Sequence, residues 1–354
     1  MSDNSQRSVQ NQTDFSRTQP PKEQWLAKAL PESAIEPDLP IVDGHVHLWH
    51  HASGYCYFAQ EYARDVESSG HYVEASIYVE CNSMYRADGP PHLRPVGETE
   101  FAVGMSAIGA SGKYTRSRIA AGVIGYADLL DGPTVGELLD AHVEAANGRF
   151  RGVRQRAKWD PDPAVRGPVS ANGPGLFLEP AFHAGLAEVA ARGLTFEASI
   201  FHPQLSDVTA LARAVPEASI VLIHTGSPVG HSSYAGRETE VRAAWLAGMR
   251  ELARCENVTV KMGGLLMPLA NFDFGVADRP PTSQELAAHW GPFIEGSVEA
   301  FGADRCMVGS NFPVDKAGCT YGTLWNTYKR VLAECSPAEK KAIFSETARR
   351  TYRI

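Results

Sequence analysis

The sequence predicts an α/β chain folded as a (β/α)8 barrel of the TIM type, with long loops after its strands. Three observations carry this expectation. Short apolar runs recur eight times, amphipathic segments with helix-start signals lie between them, and the connections leaving the runs are long while those entering them are short. Strand and helix alternating eight times give a parallel sheet that closes on itself.

The eight runs are Ile41–Leu48, Ala75–Cys81, Ala120–Asp128, Phe150–Arg156, Leu194–Ile200, Ser219–Thr225, Val258–Gly263 and Arg305–Asn311. Stretches such as ASIYVE, SIVLIH and VTVKM are nearly continuous in apolar or β-branched residues, as strands buried on both faces are. Thr134 with Glu137, Thr282 with Glu285 and Ser336 with Glu339 have the spacing of a capping box, the last with Pro337 in the first helical turn. Further helical patterns cover Glu179–Arg192, Ser206–Val215, Glu240–Cys255 and Leu324–Cys335. The segments after the strands (Trp49–Gly70, Asn82–Gly112, Trp159–Leu178, Gly226–Gly236, Gly264–Pro281) are rich in Gly, Pro, His and Tyr. In a barrel those loops form the catalytic mouth. An open doubly wound sheet shares the alternation, but GxGxxG is absent and Gly112 with Lys113 lacks the upstream glycine of a phosphate loop.

Residues 1–38 are polar and rich in Gln, Ser and Pro, which predicts a flexible N-terminal arm with a short helix near Trp25–Leu30; residues 39–354 form the barrel. With 354 residues, 44% of them hydrophobic, the chain can bury a large core. A net charge of -8 and a pI of 5.9 argue against nucleic acid or an anionic membrane as the main partner and leave a small-molecule substrate, with a homo-oligomer compatible. The six cysteines have no CxxC spacing, so neither a disulfide framework nor a zinc ribbon is expected. The N-terminal stretch lacks the apolar core of a signal peptide and no apolar run is long enough to span a bilayer, so the expected location is cytoplasmic.

The sharpest chemical feature is DGHVHLW, Asp43–Trp49. His45 and His47 stand two apart on a strand, on one side and about 6.5–7 Å apart along it, placed to share a metal or a substrate oxygen. Two histidines at a strand end can also simply meet water; their place at the end of the first of eight strands, ahead of His50 and His51, favours function. His224 closes the apolar run SIVLIH, with Gly226 two residues on. After the eighth run, Asn311 offers an amide and Asp315 a carboxylate, with Pro313 between them to turn the chain over the mouth. Arg154 and Arg156 close the fourth run, where a guanidinium could clamp a substrate carboxylate; they share a parity, so either both face inward or Gln155 does. His202 follows the fifth run, which carries Glu197 and Ser199; Glu80 ends the second and Lys261 lies in the seventh. Structural ion pairs explain these residues as well as chemistry does. Tyr85, Tyr55, Tyr57, Tyr234 and Trp159 would wall a pocket or anchor loops. The elbow GxSxG and the zinc motif HExxH are absent.

Taken together, DGHVHLW, IVLIHTG, VKMGG and MVGSNFPVD resemble the amidohydrolase-2 group of the amidohydrolase superfamily, from about residue 40 to the C-terminus. Within it the chain is similar to the lactonase branch, which includes 2-pyrone-4,6-dicarboxylate lactonase and sugar-acid lactonases; HPQL (His202–Leu205) and SNFP (Ser310–Pro313) belong to that likeness. The resemblance implies a distorted barrel, with His45 and His47 as the first-strand pair and His224 as the sixth-strand histidine. It also implies one divalent metal, zinc, on those three histidines, or the metal-free site that some lactonases use. A metal would lower the pKa of a bound water. Two departures stand out. LTFEASI has no histidine at its end, and Asn311 stands where the family commonly has an aspartate that contacts metal and takes the water's proton. An amide cannot act as that base.

The expected activity is hydrolysis of a small lactone or related cyclic ester or carboxylic-acid derivative, with water activated by a histidine or Asp315 and the catalytic set His45, His47, His224, Asn311 and Asp315. Arg154, Arg156, His202 and Tyr85 would bind substrate. The alternatives are a metal-dependent decarboxylase of an aromatic or unsaturated acid and a non-catalytic ligand-binding barrel.

Overall fold

Eight parallel strands follow one another in sequence order around a nearly closed barrel in the computed structural model, which describes residues 20–51, 53–166, 173–267 and 277–354. They are β1 (Ile41–Val46), β2 (Val73–Val79), β3 (Arg118–Tyr126), β4 (Phe150–Arg156), β5 (Thr195–Ser199), β6 (Ser219–Ile223), β7 (Val258–Met262) and β8 (Cys306–Val308). Each falls within or beside one of the eight apolar runs. The main helices between and after them are α1 (Ala59–Ser68), α2 (Val96–Ala110), α3 (Gly136–Ala145), α4 (Pro180–Ala191), α5 (Leu205–Ala214), α6 (Glu238–Leu252), α7 (Ser283–Phe301) and α8 (Tyr321–Val331).

Thr282 caps α7 by accepting from the backbone of Glu285, and Ser336 caps Pro337–Lys341 in the same way. Thr134 does not cap α3. Its hydroxyl donates to Asp131 O inside a 3-10 turn, and it is Asp128 that caps this turn, accepting from Leu130 N.

The seam between β1 and β8 closes the ring. His47 N donates to Phe312 O and Asn311 N to His45 O, both at 2.8 Å. Glycine makes the approach possible: a Cβ on Gly44 would lie 2.7 Å from Val308 O, and one on Gly309 would lie 2.7 Å from the Cβ of His45. Buried Asp43 latches the seam, with Oδ1 accepting from Ser310 N at 2.7 Å and Oδ2 from the Tyr321 hydroxyl at 2.8 Å.

Inside the ring, Val42, Ala75, Ile77, Val79, Ile124, Val221, Ile223 and Met307 form one apolar layer, plugged from below by Ala348 and Tyr352 of the last helix. A buried polar cluster adjoins it. Lys261 Nζ lies 2.5 Å from Glu197 Oε1, and the Tyr352 hydroxyl donates to that oxygen at 2.6 Å. Glu197 and Lys261 thus act as structural partners.

Where the sequence predicts an arm, residues 20–38 lie against the barrel and residues 1–19 fall outside the described ones. Glu32 accepts from Ser283 N at 2.8 Å and Asn326 Oδ1 accepts from Ile35 N at 2.8 Å. The short helix is Glu23–Leu26. No helix among the described residues is long and apolar enough to cross a membrane.

Candidate active site

The ends of β1, β4, β6 and β8 meet at one point of the mouth. His45 and His47 leave β1 where its register with β2 is irregular, and their Nε2 atoms stand 3.2 Å apart. His47 Nδ1 lies 2.7 Å from Val79 O; a carbonyl only accepts, so Nδ1 carries the proton and Nε2 a lone pair. Two facing lone pairs at this distance repel, so His45 Nε2 donates its proton to His47. Trp49 stacks on His47 at 5.7 Å.

His224 follows β6, its ring centroid 4.6 Å from that of His45. His224, Thr225 and Ser227 hold positive φ angles of 54°, 51° and 46°, and Asn311 one of 55°. Non-glycine residues in this region are strained and gather at functional turns. Trp245 pins the turn by donating to Thr225 O at 2.7 Å. Burial first, then the surrounding cations, push all three histidines well below their ordinary pKa, so they are neutral at neutral pH.

Arg154 and Arg156 both face inward, while Gln155 faces out to accept from Leu129 N and donate to Asp128. Arg154 spends most of its fork on Glu80: Nε donates to Oε1 at 2.7 Å and Nη2 to the backbone oxygen. Its Nη1 lies 3.4 Å from His45 Nε2. Arg156, with 22% of its side chain exposed, reaches Glu80 only at 3.8 Å. Burial alone would raise the pKa of Glu80, but the two arginines more than offset that and hold it low. Asn82 satisfies every neighbour when its oxygen faces Arg156 and its nitrogen donates to Tyr85 and to Glu80, at 3.2 Å each. Tyr85 is thereby tied to the arginine wall.

Asn311 and Asp315 are buried together. Asn311 Nδ2 donates to Asp315 Oδ1 at 2.8 Å, Leu266 N donates to Oδ2 at 3.3 Å, and the Asn311 side chain also bonds His47. Asp315 therefore stands behind Asn311 and orients it. Burial pushes its carboxyl up to about 7. His202 forms part of the wall rather than the centre: its Nδ1 accepts from Val229 N at 3.3 Å and its ring meets Tyr234 edge-on. Burial pushes it down to about 4.

Lys158 escapes the motif reading. Ala157 N still donates to Ser199 O, so the β4 ladder continues past Arg156 and brings the lysine onto the same face as both arginines. It lies over the Phe201 ring at 5.3 Å, and it is the foremost charge acting on His224. The signal was the unbroken alternation RQRAK.

The three histidines expected to hold metal come close, yet the donor set does not fit a tightly bound divalent ion. The Nε2 spacing of His45 and His47 is near the roughly 3.3 Å that tetrahedral zinc asks of two ligands. Against it, no carboxylate replaces the one lost at Asn311, Arg154 approaches the same His45 nitrogen, and Lys158 faces His224. Among the described residues no three His, Cys, Asp or Glu side chains converge on a metal position.

A family model described as amidohydrolase matches residues 42–354. An uncharacterized protein of Sinorhizobium fredii, y4mH, is 30% identical over 331 residues, covering 90% of this chain and 99% of the relative. An L-fucono-1,5-lactonase of Burkholderia multivorans is 28% identical over 240 residues, covering 67% and 73%. The crystal structure of an amidohydrolase from Burkholderia multivorans with bound zinc is 25% identical, covers 89% of this chain and 99% of that one, and superposes with a TM-score of 0.67.

Proposed function

The chain belongs to the amidohydrolase family, and from that premise we propose that this amidohydrolase-related hydrolase opens a small lactone carrying a carboxylate, without a tightly held metal. The observation that carries the reading is the meeting of neutral His45, His47 and His224 with the cationic stripe Arg154, Arg156 and Lys158. Imidazoles kept neutral by burial can take or share a proton, and a row of inward cations favours an anionic substrate. The similarity to a lactonase supports the reaction class.

In this reading Arg156 and Lys158 hold the substrate carboxylate at the open rim, where the Arg156 side chain is partly exposed. Arg154, committed to Glu80, supplies fixed positive charge beside His45 and the carbonyl. A water attacks that carbonyl and the His45–His47 pair takes its proton. Asn311, oriented by Asp315, and His224 stabilise the oxygen on which charge develops. The ring C–O bond then breaks and the leaving alkoxide regains the proton.

The test is a panel of small lactones with and without a carboxylate, followed by acid release and carbon dioxide release in parallel, before and after chelator dialysis. Acid release that prefers the carboxylate lactones and survives dialysis supports the reading. Carbon dioxide release from an aromatic acid would replace it with the decarboxylase alternative.

A further inference from the structure

Beside His224 lies a small space bounded by Thr225, Ser227, Gly263, Gly264 and Trp290. It leaves about 10 Å³ for the centre of a water molecule, which is about one water's worth. Three buried polar atoms on the residues around it have no hydrogen-bond partner among the described residues: His224 Nδ1, Ser227 Oγ and Trp290 Nε1. Buried polar atoms of this kind are rarely left unpaired. A water needs two to four polar partners, and this site offers three. Gly264 keeps Nδ1 reachable, since a Cβ there would lie 2.6 Å from it.

We infer that this space is a binding site for a single internal water, bonded to His224, Ser227 and Trp290, which fixes His224 as the Nε2–H tautomer. The tautomer follows from counting protons. The Trp290 indole can only donate, so it occupies one lone pair of the water. If His224 Nδ1 also donated, the second lone pair would be filled and Ser227 could only accept, leaving one water O–H and the serine O–H unspent. With the histidine proton on Nε2, the water donates to Nδ1 and only one O–H is left over. The second arrangement strands fewer buried donors.

The mouth thus receives an N–H from His224, while both nitrogens of His47 are committed, Nδ1 to Val79 O and Nε2 to His45. His224 is a donor to the substrate carbonyl rather than a base or a metal ligand, and Trp290, out on α7, is a positioning residue for it. Only this use in catalysis rests on the lactonase reading; the water and the tautomer do not.

The full-length protein tests both. A high-resolution crystal structure shows a water within hydrogen-bond reach of all three atoms, and long-range proton–nitrogen spectra of the histidine side chains show His224 protonated at Nε2. Trp290→Phe keeps the packing ring but removes the fixed donor, so the water is lost and His224 becomes a mixture of tautomers, a change that packing alone does not cause. A dry cavity, an Nδ1–H signal in the unaltered protein, or an unaltered tautomer in Trp290→Phe overturns the inference. A protein that shows the water and the tautomer but opens no lactone keeps the inference and rejects only the proposed substrate.

Discussion

Glu80 and Arg154 form a buried ion pair across the barrel, Oε1 to Nε at 2.7 Å, and the same guanidinium reaches to 3.4 Å from His45 Nε2. One carboxylate therefore sets the position of a charge beside His45. Removing one partner of such a pair leaves the other buried and uncompensated, which costs about 3–5 kcal/mol. Glu80→Ala should lose that much in urea unfolding. The double variant Glu80→Ala with Arg154→Met should recover a large part, since it buries no lone charge. A silent single variant would show that the pair carries no structural weight.

Arg156 has the weaker hold on Glu80 and is the more exposed of the two arginines. A charge-assisted bond to a substrate carboxylate contributes about 1.5–3 kcal/mol, so Arg156→Ala should raise KM for a carboxylate-bearing lactone roughly 10- to 100-fold with a smaller change in kcat. Neutral lactones should be affected far less. Equal losses on both substrate kinds would place the carboxylate elsewhere.

The carboxyl of Asp315 is pushed up from 3.8 to about 7 by burial, despite the bonds it accepts from Asn311 and Leu266. The folded state therefore keeps a proton that the unfolded chain has already lost above pH 4. Folded-state stability from this group is present below pH 4 and falls as pH rises towards 7, by on the order of a few kcal/mol. The buried histidines have lowered pKa values and act with the opposite sign, so the difference between the parent and Asp315→Asn isolates the aspartate. That difference, measured by urea unfolding at several pH values, should shift in favour of the asparagine variant between pH 4 and 7. A flat difference would mean that Asp315 is not buried as a carboxyl.

The barrel was legible because its strands are apolar on both faces, and that pattern survives in a single sequence; β4 was bounded to the residue. So were the histidines, since each closes a strand. What the sequence hid were relations across the ring. The parity of Arg154 and Arg156 left two orientations open, and only the far-strand partner Glu80 decides between them. Asp315 reads as a catalytic carboxylate until its backing of Asn311 is seen. Trp290 is some 66 residues from His224 on an amphipathic helix, where nothing distinguishes it from a core aromatic. Thr134 had the spacing of a cap, but Pro133 and the left-handed Gly132 build a turn there instead.

Asn311 is where the donor set falls short of a metal site, so restoring charge there should restore affinity. In Asn311→Asp a carboxylate would lie beside His47 and close to His45, offsetting Arg154 and completing a two-histidine, one-carboxylate group of the kind that holds zinc. The parent should emerge from chelator dialysis with little zinc and its activity intact, whereas the variant should retain close to one zinc per chain by elemental analysis. A parent that holds zinc stoichiometrically through the same dialysis would show that the three histidines suffice without a carboxylate.

The seam glycine makes the last test, because it separates the position of His45 from its chemistry. A Cβ at Gly309 would fall 2.7 Å from the His45 Cβ and 3.0 Å from its backbone nitrogen. Both contacts belong to atoms that cannot swing away, so β1 and β8 must part. Overpacking of this kind costs about 1–3 kcal/mol, and it moves the histidine whose Nε2 bonds His47. Gly309→Ala should therefore lower both stability and kcat while every catalytic side chain remains present. Gly104 on α2 is the control, since a Cβ there meets nothing within 4 Å. Gly104→Ala should gain about 0.4–1 kcal/mol through the unfolded state and leave kcat unchanged. If the two alanines behave alike, the β1–β8 approach does not set the geometry of the site.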